Sequence, residues 1–234
     1  MIEKPLLLHI ETATEVCSIA LTSGNDVLTV CETNDGNSHS KNLLPFINDA
    51  MKQTHCQMNE LNGVVVSIGP GSYTGLRIGV SMAKGIAYSL NIPIITVSTL
   101  ESIAQGARNN ESSEYQGLFI PMIDARRMEV FTATYDATMQ RQNEVNAVIV
   151  EETTFNEIID NNVITFCGNG MPKCREMLST HPNARFYDGT LSAQNMLPAA
   201  LKKWQLQDFA DVAYFEPFYL KNYVAAKPNV KGLR

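Results

Sequence analysis

An α/β fold made of two copies of one βββαβα unit is predicted by three observations. Apolar, β-branched runs alternate with helical patterns along the chain. An acid closes one strand and a Glu-Val opens the next in both Ile10-Glu11-Thr12-Ala13-Thr14-Glu15-Val16 and Ile123-Asp124-Ala125-Arg126-Arg127-Met128-Glu129-Val130. A buried run ending in a Gly-x-Gly turn also occurs twice in the same order, at Val64–Ile68 with Gly69-Pro70-Gly71 and at Val163–Cys167 with Gly168-Asn169-Gly170. Chance is the rival to duplication, because a strand, a glycine turn and a helix recur in many unrelated α/β chains.

Leu6–Ile10 reads as a buried strand that turns through Glu11-Thr12-Ala13-Thr14 into strands at Val16–Thr22 and Val27–Glu32, with Gly24-Asn25-Asp26 between those two. Asn34–Ser40 is a polar loop. The helix after it, Lys41–Thr54, places Leu43, Leu44, Phe46, Ile47, Ala50 and Met51 on a wide apolar arc, with Ser38 or Ser40 as its cap. The strand Val64–Ile68, a helix from about Tyr73 to Leu90 and the strand Ile92–Val97 follow. A helix capped by Ser98 or Thr99 then runs through Ala107. Polar Asn109–Gln116 marks a boundary, giving lobes at 1–108 and 109–214 and a closing segment at 215–234. In the second lobe a helix is expected near Ala193–Leu206.

The chain's 234 residues, 44% hydrophobic and 18% charged, suit a folded protein rather than a disordered one. Leu6–Ile10 is too short for a signal peptide, and no stretch approaches a membrane span, so a cytoplasmic protein without membrane contact is expected. Five cysteines without a CxxC pair suit reduced, buried thiols. A net charge of −6 argues against a lone nucleic-acid binder. Lys221, Lys227, Lys231 and Arg234 nevertheless make the last 14 residues basic, either as a solvated tail or as an arm toward RNA or an acidic partner.

The glycine turn is neither a Walker A loop nor a dinucleotide fingerprint. It is a structural corner, or else an anion cradle in which Gly69, Gly71, Thr74 and Arg77 act with Glu11, Thr12 and Asp124 of the hairpin turns. Those turns hold acids but lack the glycines that let backbone approach a phosphate, which implies a weak or lost nucleotide site. Gly75, Gly79, Ala83 and Ala87 recur every four residues, a stripe that admits close helix approach. It packs inside its own lobe, or else it forms a partner face. On the second reading that face comprises Leu43, Leu44, Phe46, Ile47, Ala50, Gly75, Leu76, Gly79, Val80, Ala83 and Ala87. No metal site is legible: His9, His39, His55 and His181 are scattered. No serine or cysteine sits in a nucleophile motif.

A duplicated βββαβα unit with an acidic hairpin heading each half resembles the actin, hexokinase and Hsp70 superfamily, two ribonuclease-H-like lobes around a nucleotide cleft. More specifically, Ile10-Glu11-Thr12-Ala13-Thr14, Ser38–Pro45, Gly69-Pro70-Gly71-Ser72-Tyr73-Thr74-Gly75-Leu76-Arg77-Ile78-Gly79, Val97-Ser98-Thr99-Leu100, Ile123-Asp124-Ala125-Arg126 and Glu216-Pro217-Phe218-Tyr219-Leu220 resemble the TsaB (YeaZ) family. The match runs in order from about residue 5 to 226, loosest over 110–210. The resemblance implies a non-catalytic subunit in the pathway that places threonylcarbamoyl on adenosine 37 of tRNA. It implies pairing with the catalytic paralogue TsaD and the ATPase TsaE, with ATP or ADP and a metal ion held by those partners and none by this chain. A homodimer when alone, through the same two helices, and contact with tRNA through the complex are implied as well. Thr99 and Ile103 stand where TsaD carries its HxxxH metal motif, and Glu11 stands where the family more usually shows Asp. The rival class is an enzyme of this superfamily, a glycoprotease-like peptidase or a small-molecule kinase. A standalone RNA binder using the basic tail is the second rival.

Overall fold

The computed structural model describes residues 4–36 and 39–221. The proposed cap Ser38 and the basic residues beyond Lys221 lie outside them. Strands β1 (Leu6–Glu11), β2 (Cys17–Ser23) and β3 (Asp26–Thr33) pair as antiparallel neighbours. Helix α1 (His39–Thr54), β4 (Gly63–Ser67), α2 (Tyr73–Leu90), β5 (Ile94–Val97) and α3 (Thr99–Arg108) follow. The second half runs β6 (Leu118–Asp124), β7 (Glu129–Thr132), β8 (Asn146–Ile149), α4 (Asn156–Ile159), β9 (Ile164–Cys167), α5 (Arg175–Leu178), β10 (Ala184–Tyr187) and α6 (Leu197–Leu206), the last preceded by a 3-10 turn at Ala193–Met196.

The two sheets have the orders β3-β2-β1-β4-β5 and β10-β9-β6-β7-β8. Counted from the first strand of each half, these are one order. In each, only the second strand is reversed, and the fourth and fifth run parallel to the first. That is the duplicated ribonuclease-H-like plan of the actin, hexokinase and Hsp70 superfamily. The copies differ in their helices: α4 and α5, the counterparts of α1 and α2, are four residues each.

Side chains alternate across β1 because successive Cβ atoms leave a strand on opposite faces. Leu8 and Ile10 meet Leu43, Ile47, Val80 and Ala83 of α1 and α2. Leu7 lies on the other face with Val65, Ile95, Ala193, Met196, Ala200 and Trp204. The cover on that face is therefore α6, from the far end of the chain. Helix α3 does the converse: Leu100, Ile103 and Ala104 pack with Phe119, Ile123 and Cys167 of the second sheet. Each half lends its last helix to the other's sheet, so packing does not follow the chain-order division at 108/109.

Two helix starts show local chemistry at work. Ser72 caps α2, its Oγ accepting from the Gly75 N–H at 3.2 Å. Ser98 stands at the N-cap of α3 without a side-chain cap bond; the neighbouring Thr99 Oγ1 instead accepts from the Gly69 N–H at 3.1 Å. The second hydroxyl thus ties the β4–α2 turn to the helix that crosses between lobes.

Candidate functional site

The glycine turn is packed shut against the first hairpin. The Ser72 N–H donates to the Ala13 carbonyl at 2.7 Å, and a Cβ on Gly71 would lie 2.4 Å from that same oxygen. One turn into α2, a Cβ on Gly75 would lie 2.1 Å from the Thr12 carbonyl, and one on Gly79 2.2 Å from Thr12 Oγ1. The Thr12 hydroxyl donates to the Gly75 carbonyl at 2.8 Å. The small residues exist so that α2 can lie directly on β1 and its turn.

This corrects the partner-face expectation for most of its residues. Gly75, Gly79, Ala83 and Ala87 face inward, and Leu43, Ile47, Ala50, Leu76 and Val80 are buried in the same core. They offer almost no surface to a second polypeptide while this lobe is folded. Of the proposed set, Leu44 is 53% exposed and Phe46 half-buried. The outward side of α2 is built from residues that spacing alone did not pick out. Tyr73, Thr74, Arg77, Ile78, Ser81, Met82 and Gly85 line an open groove of about 730 Å³ that reaches Ser40 of α1.

The hairpin acids are engaged within the chain. Glu11 is wholly buried; its Oε1 accepts from the Ala13 N–H and from Ser67 Oγ, both at 2.7 Å, and its Oε2 has no partner. Burial pushes its carboxyl up to about 7, against the pull of those hydrogen bonds. Asp124 ion-pairs with Lys173 and accepts from the Arg126 N–H at 2.9 Å. Partial burial works against its charge, but Lys173 and the backbone donor outweigh that and hold it below the usual carboxylate range. Arg126 and Arg127 take up left-handed backbone at φ 72° and 51°, the conformation the expected glycines would adopt freely.

Between the lobes lies a cleft of about 870 Å³ bounded by Glu15, Gly71, Thr74, Asp124, Arg126 and Asn169, among others. Of the seven candidate anion contacts, Gly71, Thr74 and Asp124 reach it. Glu11, Thr12 and Gly69 are buried behind it, and Arg77 lies on the outer groove, engaged with Tyr73 and Tyr219. Among the described residues no group of three or more His, Cys, Asp or Glu is placed to hold a metal ion. His9 is a core residue bonded to Thr22 Oγ1 at 2.9 Å, and burial lowers its ring pKa to about 3.

The cleft's remaining wall is the closing segment, with Phe218, Tyr219, Leu220 and Lys221 on its lining. The signal for it lay in Glu216-Pro217-Phe218-Tyr219-Leu220, which the sequence reading used for resemblance but assigned no site role.

A family model described as "TsaD: tRNA N6-adenosine threonylcarbamoyltransferase" matches residues 33–214. The chain is 32% identical over 233 residues to the Escherichia coli tRNA threonylcarbamoyladenosine biosynthesis protein TsaB, covering 94% of this chain and 96% of that one. It is 30% identical to the Bacillus subtilis protein of the same description, over 92% of this chain and 93% of the relative. Its fold is similar to that of YeaZ from Pseudomonas aeruginosa, with a TM-score of 0.81 at 24% identity over 92% of this chain and all of that one. No described helix is long and apolar enough to cross a membrane.

Proposed function

The chain belongs to the TsaB family, and from that premise we propose that it is a non-catalytic subunit in tRNA threonylcarbamoyladenosine biosynthesis. In this reading it docks and activates TsaD in company with TsaE. The observation that carries it is the state of the two hairpin acids. A phosphate-gripping cleft needs carboxylates free to face a metal ion, whereas Glu11 is sealed in the core and Asp124 is held by Lys173. ATP or ADP, the metal ion and the chemistry then belong to the partners, and tRNA is met through the complex in the cytoplasm. The docking face is the outward side of α1 and α2, including Leu44, Ile78, Met82 and Gly85; alone, the chain uses it to form a homodimer.

The test is to mix the chain with TsaD and TsaE, with and without ATP, and to measure complex mass and tRNA modification. A complex is expected to form, and modification is expected to require the chain. Gly85→Arg should abolish co-purification with TsaD while leaving the fold intact, because a Cβ there meets nothing within 4 Å. Robust peptidase or kinase turnover by the lone chain overturns the reading, as does tight, salt-sensitive tRNA binding without partners.

A further inference from the structure

After α6 the chain crosses from one lobe to the other along the side of α2. Ala210 bridges to Ile94 at the outer edge of the first sheet. Lys84 donates to the Ala213 carbonyl at 3.1 Å and stands 4.6 Å over the Phe215 ring. The Phe218 N–H donates to the Ile68 carbonyl at 2.7 Å, and a Cβ on Gly69 would lie 2.7 Å from the Phe218 carbonyl. Tyr219 packs on Tyr73 at 4.8 Å between ring centres. Arg77 stands 4.1 Å over the Tyr73 ring and donates to the Tyr219 hydroxyl at 3.3 Å. Two residues on, Lys221 ion-pairs with Glu129 at the start of β7, on the second sheet.

The attachment is unequal. The first lobe holds this segment by hydrogen bonds, the Tyr73–Tyr219 ring pair and the Lys84–Phe215 cation–π contact. Among the described residues, the second lobe holds it by one ion pair whose side chains are 49% and 23% exposed. Phe218 to Lys221 also form one wall of the inter-lobe cleft, where Asn169 Nδ2 also donates to Glu15 Oε2 at 2.9 Å. We infer that Ala210–Lys221 is a releasable latch: a strap fixed to the first lobe whose Lys221–Glu129 contact sets how far the cleft opens. An ion pair this exposed shifts an equilibrium only about two- to fivefold, which suits a catch that closes and releases. The inference concerns the lone chain and does not depend on the docking reading.

The experiment compares the wild-type chain with Glu129→Gln, Lys221→Gln and the double variant, dilute, at low and high salt. Hydrogen exchange is followed over residues 122–130 and 215–221. Thiol labelling of Ala125→Cys, a cleft-lining position, is read by peptide mapping to exclude the native cysteines. Either single variant should raise exchange in both segments and labelling at residue 125 by about two- to fivefold. The double variant should add nothing further, and high salt should bring the wild type to the level of the variants. Tyr219→Ala, which frees the fixed end, should raise exchange over 215–221 more than either charge variant. The latch is overturned if the charge variants leave labelling and the 122–130 segment unchanged, or if the two single effects add.

Discussion

At the scale of single residues, Glu11 is an acid wholly buried in the first lobe. Its carboxyl binds a proton more tightly in the folded chain than in the unfolded one, about 7 against an ordinary 4.5. Stability from this group is therefore complete below the ordinary value and is lost as pH rises through 7. Replacement by Gln should flatten that part of the stability profile and raise stability at pH 8 by of order 2–3 kcal/mol, measured by urea unfolding between pH 4.5 and 8. A wild-type profile without a decline toward neutral pH would contradict the assignment. The sequence showed an acid at this strand end, but not that Ser67 and the Ala13 N–H close over it. That depends on β4 lying beside β1, a contact 56 residues away in the chain.

At the scale of elements, α2 carries glycines of opposite kinds. Gly79→Ala forces a methyl to within 2.2 Å of Thr12 Oγ1 and should cost about 1–3 kcal/mol. Gly85→Ala meets open space and should stabilise by about 0.5–1 kcal/mol through helix propensity. Thermal unfolding of the two variants should shift in opposite directions. The helix itself, expected from about Tyr73 to Leu90, was legible because an amphipathic pattern starts just after the glycine turn. The direction of its small-residue stripe was not legible, since spacing says which residues share a face and not what that face meets. Strands β8 and β10 and the one-turn helices α4 and α5 escaped the sequence reading for another reason. They are no shorter than β5 and β9, but β8 and β10 lie exposed or half-buried and so lack the apolar run that marked those strands. One turn of helix holds too little periodicity to be recognised.

At the scale of the whole molecule, the exchange of α3 and α6 between sheets makes the lobes mutually dependent. Residues 1–108 expressed alone lack the cover over Leu7, Val65 and Ile95. That fragment should show poor amide dispersion by NMR and bind hydrophobic dyes; a cooperative, well-dispersed fragment would refute the dependence. Trp204→Ala, near the far end of the chain, should likewise lower the stability of the first lobe, by about 3 kcal/mol or more. The two echoes in the sequence were enough to predict a repeated unit. They could not reveal that each repeat finishes its partner, because both halves carry an amphipathic helix in the same place and nothing local records which sheet it will choose.

That exchange has a consequence for the birth of the protein. The first sheet is complete in sequence once Val97 has been made, yet the helix that shields one of its faces ends at Leu206. At about 5–20 residues per second, the ribosome takes roughly 5–20 s to synthesise the intervening stretch. Throughout that interval an apolar sheet face is available to other chains, so chaperone capture during translation is expected to matter more for this protein than its modest length suggests.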